Sequence, residues 1–261
     1  MTRPAVYVER EADLAILTLD RPENRNSMTP ELLDAFSLAI DQVRASDARC
    51  VIITGHGPSF CGGADFRAAV QREAGPDRLA AERSFAMYEP FLKVLDLEVP
   101  VIAAMNGHAV GGGFGLSLLC DLRVACANAR HGANFTRLGL HPGLGISWLL
   151  PRLVGVPRAT ELLLTGRLFS GTEGEALGLF HRAVAADEVR SVAWQLARDI
   201  AANAPIAVRL TKRALQQGVA AQVRDAARQE SFMQAATLDT DDVREGVAAL
   251  LEKRPPVFRG R

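Results

Sequence analysis

The spacing of apolar and polar residues sets out most of the regular elements before any chemistry is considered. Residues 5–9 and 12–20 alternate or run apolar and β-branched, which predicts two paired strands with a turn near Arg10 and Glu11. Thr29-Pro30-Glu31 has the form of a helix start: an N-cap hydroxyl, proline at the first helical position, then an acid in the first turn. Leu32, Leu33, Phe36, Ile40 and Val43 continue at a helical period. Residues 50–54 form a short apolar run without alternation, as in a parallel strand buried on both faces. A polar stretch around 71–83 leads into a helix ending near Leu97, and 99–105 and 122–125 read as further buried strands. This alternation predicts an α/β first part with right-handed crossovers. From Gly143 onward the pattern is mostly helical, with main segments at 189–202, 206–217, 221–236 and 241–252.

Composition narrows the class. The chain has 261 residues, 48% of them hydrophobic and 23% charged, which excludes disorder. Thirty Lys and Arg balance thirty Asp and Glu, so the basic field of a nucleic-acid binder is missing. The four cysteines (Cys50, Cys61, Cys120, Cys126) form no CxxC pair, which argues against a disulfide scaffold or zinc site and for reduced thiols in the cytoplasm. The longest charge-free run, 99–120, has the length of a membrane span, but it holds Pro100, Asn106, His108 and five glycines. A buried strand, turn and helix explain it better, and a soluble protein is expected.

Two glycine-rich loops follow two of these strands. Residues 59–65 (SFCGGAD) come after the strand at 50–54, and 106–113 (NGHAVGGG) come after 99–105 and run into a helix starting near Phe114. Ligands of open α/β sheets bind outside the carboxyl ends of the strands, where both loops emerge. Glycines let the backbone approach a ligand, and a helix start adds positive potential. Neither loop has the Lys-Ser/Thr of a phosphate-binding P-loop, and neither GxGxxG nor GxSxG occurs. Backbone donors facing an oxygen that gains negative charge are the remaining use.

These loops, with residues 20–28 (DRPENRNSM), 59–66, 106–121 and 139–155, resemble the crotonase, or enoyl-CoA hydratase/isomerase, superfamily, and the similarity runs from about residue 5 to 258. The resemblance implies a crotonase-like (ClpP/crotonase) spiral of ββα units over 1–200 and a C-terminal helical trimerisation region over 201–261. It also implies a homotrimer or a hexamer built as a dimer of trimers, and acyl-CoA thioesters as substrates, with no cofactor besides the coenzyme A of the substrate and no metal. The oxyanion donors it implies are the backbone N–H groups of Ala64 and Gly112. Asn24, Arg25, Asn26, Ala64, Asp65, Phe66, Arg67, Gly111, Phe135, Leu250 and Lys253 match positions that contact CoA or line the acyl pocket.

The pattern breaks at the proton-transfer groups. The family's hydratases add water with two glutamates, and those positions fall on Gly115 and Phe135, neither of which transfers protons. General acid–base catalysis contributes about a hundred- to ten-thousand-fold. An ordinary hydratase is therefore not expected. His141 and Tyr88 are the candidate substitutes, while Asp65 and Asp121 are expected to fix loops, His108 to pack, and Phe114 and Phe135 to shape an apolar pocket. The expected activity is a lyase or isomerase reaction through an enolate; the alternatives are an acyl-CoA decarboxylase and a non-catalytic acyl-CoA binder.

Overall fold

The structure is a computed structural model that describes residues 3–65 and 79–261. Strands β1 (Val6–Glu11), β2 (Leu14–Leu19), β3 (Cys50–Gly55), β5 (Val101–Met105), β7 (Leu122–Cys126) and β10 (Arg182–Val184) form a six-stranded sheet in the order β1-β2-β3-β5-β7-β10. Within this sheet β1 and β2 pair antiparallel and every later pair is parallel. The short strands β4 (Ser59–Cys61), β6 (His108–Val110), β8 (Arg130–Gly132) and β9 (Phe169–Ser170) form a second, four-stranded sheet. A long strand, a short strand and a helix recur along the chain, the ββα repeat that the resemblance implies.

The first hairpin turns at Ala12 and Asp13, two residues later than the expected turn at Arg10 and Glu11. Ala12 takes φ +51°, which closes the turn locally and lets Arg10 and Glu11 stay in the ladder opposite Ala15 and Leu14. The predicted helix start is met: α1 (Pro30–Arg44) is capped by the Thr29 hydroxyl, which accepts from Leu32 N at 3.3 Å. β3 is buried on both faces, as its unbroken apolar run requires. Val51 and Ile53 join a core with Phe36, Phe91 and Phe114, and Cys50 and Ile52 join one with Trp194 and Ala197 on the opposite side. Each buried Ile or Val contributes about 1.5–3 kcal/mol.

The first face is covered by α1 and by α2 (Ala80–Leu92) and α3 (Gly112–Leu119); α7 (Glu188–Ala201) covers the second. Between them in sequence lie α4 (Ile146–Val154), α5 (Val156–Thr165) and α6 (Gly171–Ala176). Three helices end the chain: α8 (Pro205–Leu215), α9 (Val219–Leu238) and α10 (Asp241–Glu252). α8 buries none of its residues, and Lys212 anchors it by donating to Asp121 Oδ2 at 2.7 Å and to Val99 O at 2.8 Å. α9 lies along α2 and α4, while α10 packs on a 3-10 turn at Phe135–Leu138. Among the described residues no helix is long and apolar enough to cross a membrane.

Candidate active site

The two glycine loops are held by a third segment, residues 24–28. Arg25 and Asn26 both take left-handed backbone (φ +63° and +54°), which turns the Asn26 side chain into the protein. Its amide nitrogen donates to Ser59 O at 2.8 Å, His56 O at 3.1 Å and Phe60 O at 3.2 Å, and its oxygen accepts from Arg21 N at 2.8 Å. Two backbone bonds then carry the first loop, Gly62 N to Arg25 O at 2.9 Å and Met28 N to Gly63 O at 2.8 Å. Asn26, expected among the CoA contacts, is fully buried, so its part is to clamp the loop. The Asn24 carboxamide is engaged locally, accepting from Ser27 N at 3.1 Å, while the Arg25 side chain is exposed.

Gly63 takes φ +82° where the loops meet; a Cβ there would stand 2.6 Å from Val110 O and 3.3 Å from Gly112 N. Gly111, at φ +57° and ψ −123°, a conformation reserved to glycine, starts α3 at Gly112, two residues before the expected Phe114. That shift matters, because Gly112 N–H becomes an unpaired donor of the first helical turn. Among the described residues neither Gly112 N–H nor Ala64 N–H has a hydrogen-bond acceptor. A main-chain donor left without an acceptor at a helix N-terminus can stabilise an oxygen that is gaining charge.

The walls come from elsewhere. The Met28 sulfur and the Tyr88 ring face Gly112, with Tyr88 Cε1 3.6 Å from where a Cβ would project. Phe135 Cζ lies 3.9 Å from the corresponding point on Gly111, so this residue does reach the glycine loop. At Gly115 the space a side chain would need is filled: a Cβ would stand 2.7 Å from Leu144 Cδ2 and 3.0 Å from Ile146 Cδ1. Leu144 is itself fully buried at φ +67°, between Gly143 and Gly145. Left-handed backbone at a leucine costs about 1–3 kcal/mol and persists only where its surroundings hold it.

The surroundings that hold it are on α9. Glu230, only 2% exposed, accepts from Gly145 N at 2.5 Å and from Ser147 N and Oγ at 2.8 and 2.6 Å, closing the N-terminus of α4. Burial pushes its carboxyl above the ordinary value, against the pull of these donors. Gln234 donates to Tyr88 Oη at 2.9 Å and His141 O at 3.1 Å, and accepts from the Ser84 hydroxyl. Thr237 Oγ1 accepts from His141 N at 3.2 Å. His141 donates from Nδ1 to Pro142 O at 2.7 Å, which leaves Nε2 as its remaining ring nitrogen. Burial raises the Tyr88 phenol well above its usual value, and pushes the Cys61 and Cys120 thiols up to about 12, so no thiolate nucleophile is available there.

Sequence reasoning missed Ser84, Glu230, Gln234 and Thr237. The last three lie at i, i+4 and i+7, one face of a helix, beside the buried Val223 and Ala227. Polar residues continuing an apolar face were the available signal. Phe66 and Arg67 lie outside the described residues. Asp65 has an interaction partner, in keeping with the expected role of fixing the loop. Asp121 does the same, accepting from Val101 N at 2.8 Å. His108, expected to pack, is exposed instead at the start of β6 and accepts from Arg130 N at 2.9 Å. Leu250 and Lys253 are exposed at the end of α10.

The family model for enoyl-CoA hydratase/isomerase matches residues 9–261. The chain belongs to the enoyl-CoA hydratase/isomerase family. Within it, the chain is 37% identical over 251 residues to human mitochondrial enoyl-CoA hydratase domain-containing protein 2, covering 94% of this chain and 85% of that one. It is 34% identical to the short-chain-enoyl-CoA hydratase of Clostridium acetobutylicum, with 95% of each covered. The crystal structure of carnitinyl-CoA hydratase from Mycobacterium avium superposes with a TM-score of 0.87 at 33% identity, over 100% of both chains. For an enoyl-CoA hydratase/isomerase family member, an acyl-CoA thioester is the consistent substrate class.

Proposed function

We propose that this family member binds an acyl-CoA thioester with its carbonyl oxygen between Ala64 N–H and Gly112 N–H, and works through an enolate made without the two-glutamate route of the hydratases. The observation that carries the reading is position 115. It is glycine, and Leu144 and Ile146 occupy the volume a catalytic side chain would need, while Phe135 stands at the other glutamate position. No carboxylate at either position can activate water or handle the α-proton. An oxyanion site of this kind still favours charge on the thioester oxygen by about 3–4 kcal/mol per donor.

Decarboxylation fits such a site as a second reading. The bond between Cα and a carboxylate breaks, its electron pair enters the thioester to form the enolate, CO₂ leaves, and Cα takes one proton. No base is needed to start it, and an apolar wall beside the leaving carboxylate favours the neutral product over the charged reactant. Tyr88 and His141 are the proposed proton-transfer groups. Arg25 and Lys253, both exposed cations, are proposed CoA phosphate partners, together with Arg67. Exposed Ile206, Leu210 and Leu215 on α8 and Phe232 and Met233 on α9 support self-association, and we propose a homotrimer or a dimer of trimers. The four free, buried cysteines support a cytoplasmic setting.

The test is to incubate the protein with enoyl-, 3-hydroxyacyl- and carboxyacyl-CoA esters and follow products by mass spectrometry. Isomerised or CO₂-depleted thioester is expected. Hydration of crotonyl-CoA at ordinary enzyme rates would overturn the reading of position 115, and binding without turnover of any ester would leave only an acyl-CoA binder.

A further inference from the structure

We propose that Gln234, on the C-terminal helix α9, is a positioning residue for this reaction: it fixes the Tyr88 phenol so that the hydroxyl proton is directed at the acyl group held by Ala64 and Gly112. The inference rests on the acyl-thioester reading above and adds to it a residue from a different part of the chain.

The hydrogen-bond inventory of the Gln234 carboxamide allows one orientation. Its nitrogen lies 3.1 Å from His141 O, an atom that only accepts; turning the amide over would set carbonyl against carbonyl. The Ser84 hydroxyl, on the same helix as Tyr88, supplies the donor that the Gln234 oxygen requires. With the nitrogen so placed, its second N–H donates to Tyr88 Oη at 2.9 Å. The phenol oxygen is therefore an acceptor in this bond, and its own proton is left to point elsewhere. Among the described residues nothing accepts that proton.

The phenol is also confined. A Cβ on Gly143 would come 2.6 Å from both Cζ and Oη, while the Cε1 edge faces Gly112. The ring thus bridges from the Gly112 loop to the His141–Gly145 segment, and that segment is tied to α9 at His141 N, His141 O and Gly145 N. One face of α9 holds both the hydroxyl and the backbone beside it. In the reaction the Tyr88 O–H bond breaks as the Cα–H bond forms, the enolate returns to a carbonyl, and the phenolate left behind keeps the N–H bond from Gln234 until water reprotonates it. Burial raises the phenol's pKa, which keeps the proton on the oxygen until an enolate is there to take it.

The experiment uses the full-length protein and a double-mutant cycle on whichever panel ester the unaltered chain turns over. Tyr88→Phe is expected to lower kcat about a hundredfold and Gln234→Leu about tenfold, both with KM within about threefold. In the Tyr88→Phe background, Gln234→Leu is expected to cost nothing further. The chain has two tyrosines, Tyr7 and Tyr88, so ¹³C at tyrosine Cζ gives two signals that Tyr88→Phe assigns. Butyryl-CoA is expected to shift the Tyr88 signal in the unaltered protein and not in Gln234→Leu. Ser84→Ala is the milder variant should Gln234→Leu not fold, with a loss of about threefold that again vanishes without Tyr88. An equal kcat loss with and without the Tyr88 hydroxyl, or an unchanged butyryl-CoA shift in Gln234→Leu, overturns the role of Gln234 alone. Failure of the unaltered chain to bind butyryl-CoA, or to turn over any ester, overturns the proposed function and this inference with it.

Discussion

Around Ala64 and Gly112 the candidate site is made of main chain, whereas around Tyr88 it is made of side chains, one of which lies 146 residues further along the sequence. The first region is held by backbone bonds from residues 25 and 28 and by glycines that let two loops touch. Its donors are amides, which every residue but proline carries. The second region depends on what four particular side chains can donate or accept. Side-chain substitution leaves the amides of the first region in place and rewrites the second. On the function proposed here, enolate stabilisation belongs to the first region and proton movement to the second.

The sharpest way to break that contrast is to remove one amide. Gly112→Pro deletes the N–H at a helix position that tolerates proline, and turnover is expected to fall about a hundred- to thousand-fold. Gly112→Ala meets the same Met28 sulfur but keeps the amide, so the ratio of the two rates in steady-state assays isolates the donor. A small ratio would mean that the main chain is not the working part.

Next in size is Gly115→Glu, which puts a glutamate at the position proposed to have lost one. The new side chain meets Leu144 and Ile146, and unfolding in urea is expected to show a loss of about 3 kcal/mol or more, with no crotonyl-CoA hydration gained. Asn26→Ala strips the clamp from the first loop and leaves the buried Ser59 and Phe60 carbonyls, and that of His56, short of a donor. A loss of about 2–3 kcal/mol is expected, with a fall in turnover that Gly112→Ala does not show.

The smallest effect sharpens the side-chain half. Glu230 has its folded pKa raised above the ordinary 4.5 by burial, so the folded protein holds this proton more tightly than the unfolded chain. The stability tied to that shift is present below pH 4.5 and is lost as pH rises through the folded value. Glu230→Gln cannot ionise, so its penalty in urea melts is expected to be smaller at pH 8 than at pH 5. A penalty independent of pH would show that the carboxylate's three donors cancel the burial effect.

Much of this molecule is legible in the chain because local rules suffice for it. The unbroken apolar run at 50–54 can be satisfied only by burial on two sides, and Cys50 and Ile52 do face one core while Val51 and Ile53 face the other. Thr29-Pro30-Glu31 starts a helix by the same chemistry that capping requires anywhere. The second sheet was not readable, since strands of two or three residues carry no period to detect. The hairpin turn was misplaced because Ala12 adopts a left-handed conformation that no rule assigns to alanine.

The sequence by itself determined the glycine loops, the identity of residues 115 and 135, and with the loops the family. The tertiary structure alone decided that Leu144 fills the space over Gly115, that Asn26 serves the fold, and that α9 returns to place Glu230, Gln234 and Thr237 against the site wall. The reason is physical. A glycine's freedom and an amide's donor are properties of one position, but the worth of a buried carboxamide depends on which donors and acceptors the rest of the chain brings within about 3 Å of it.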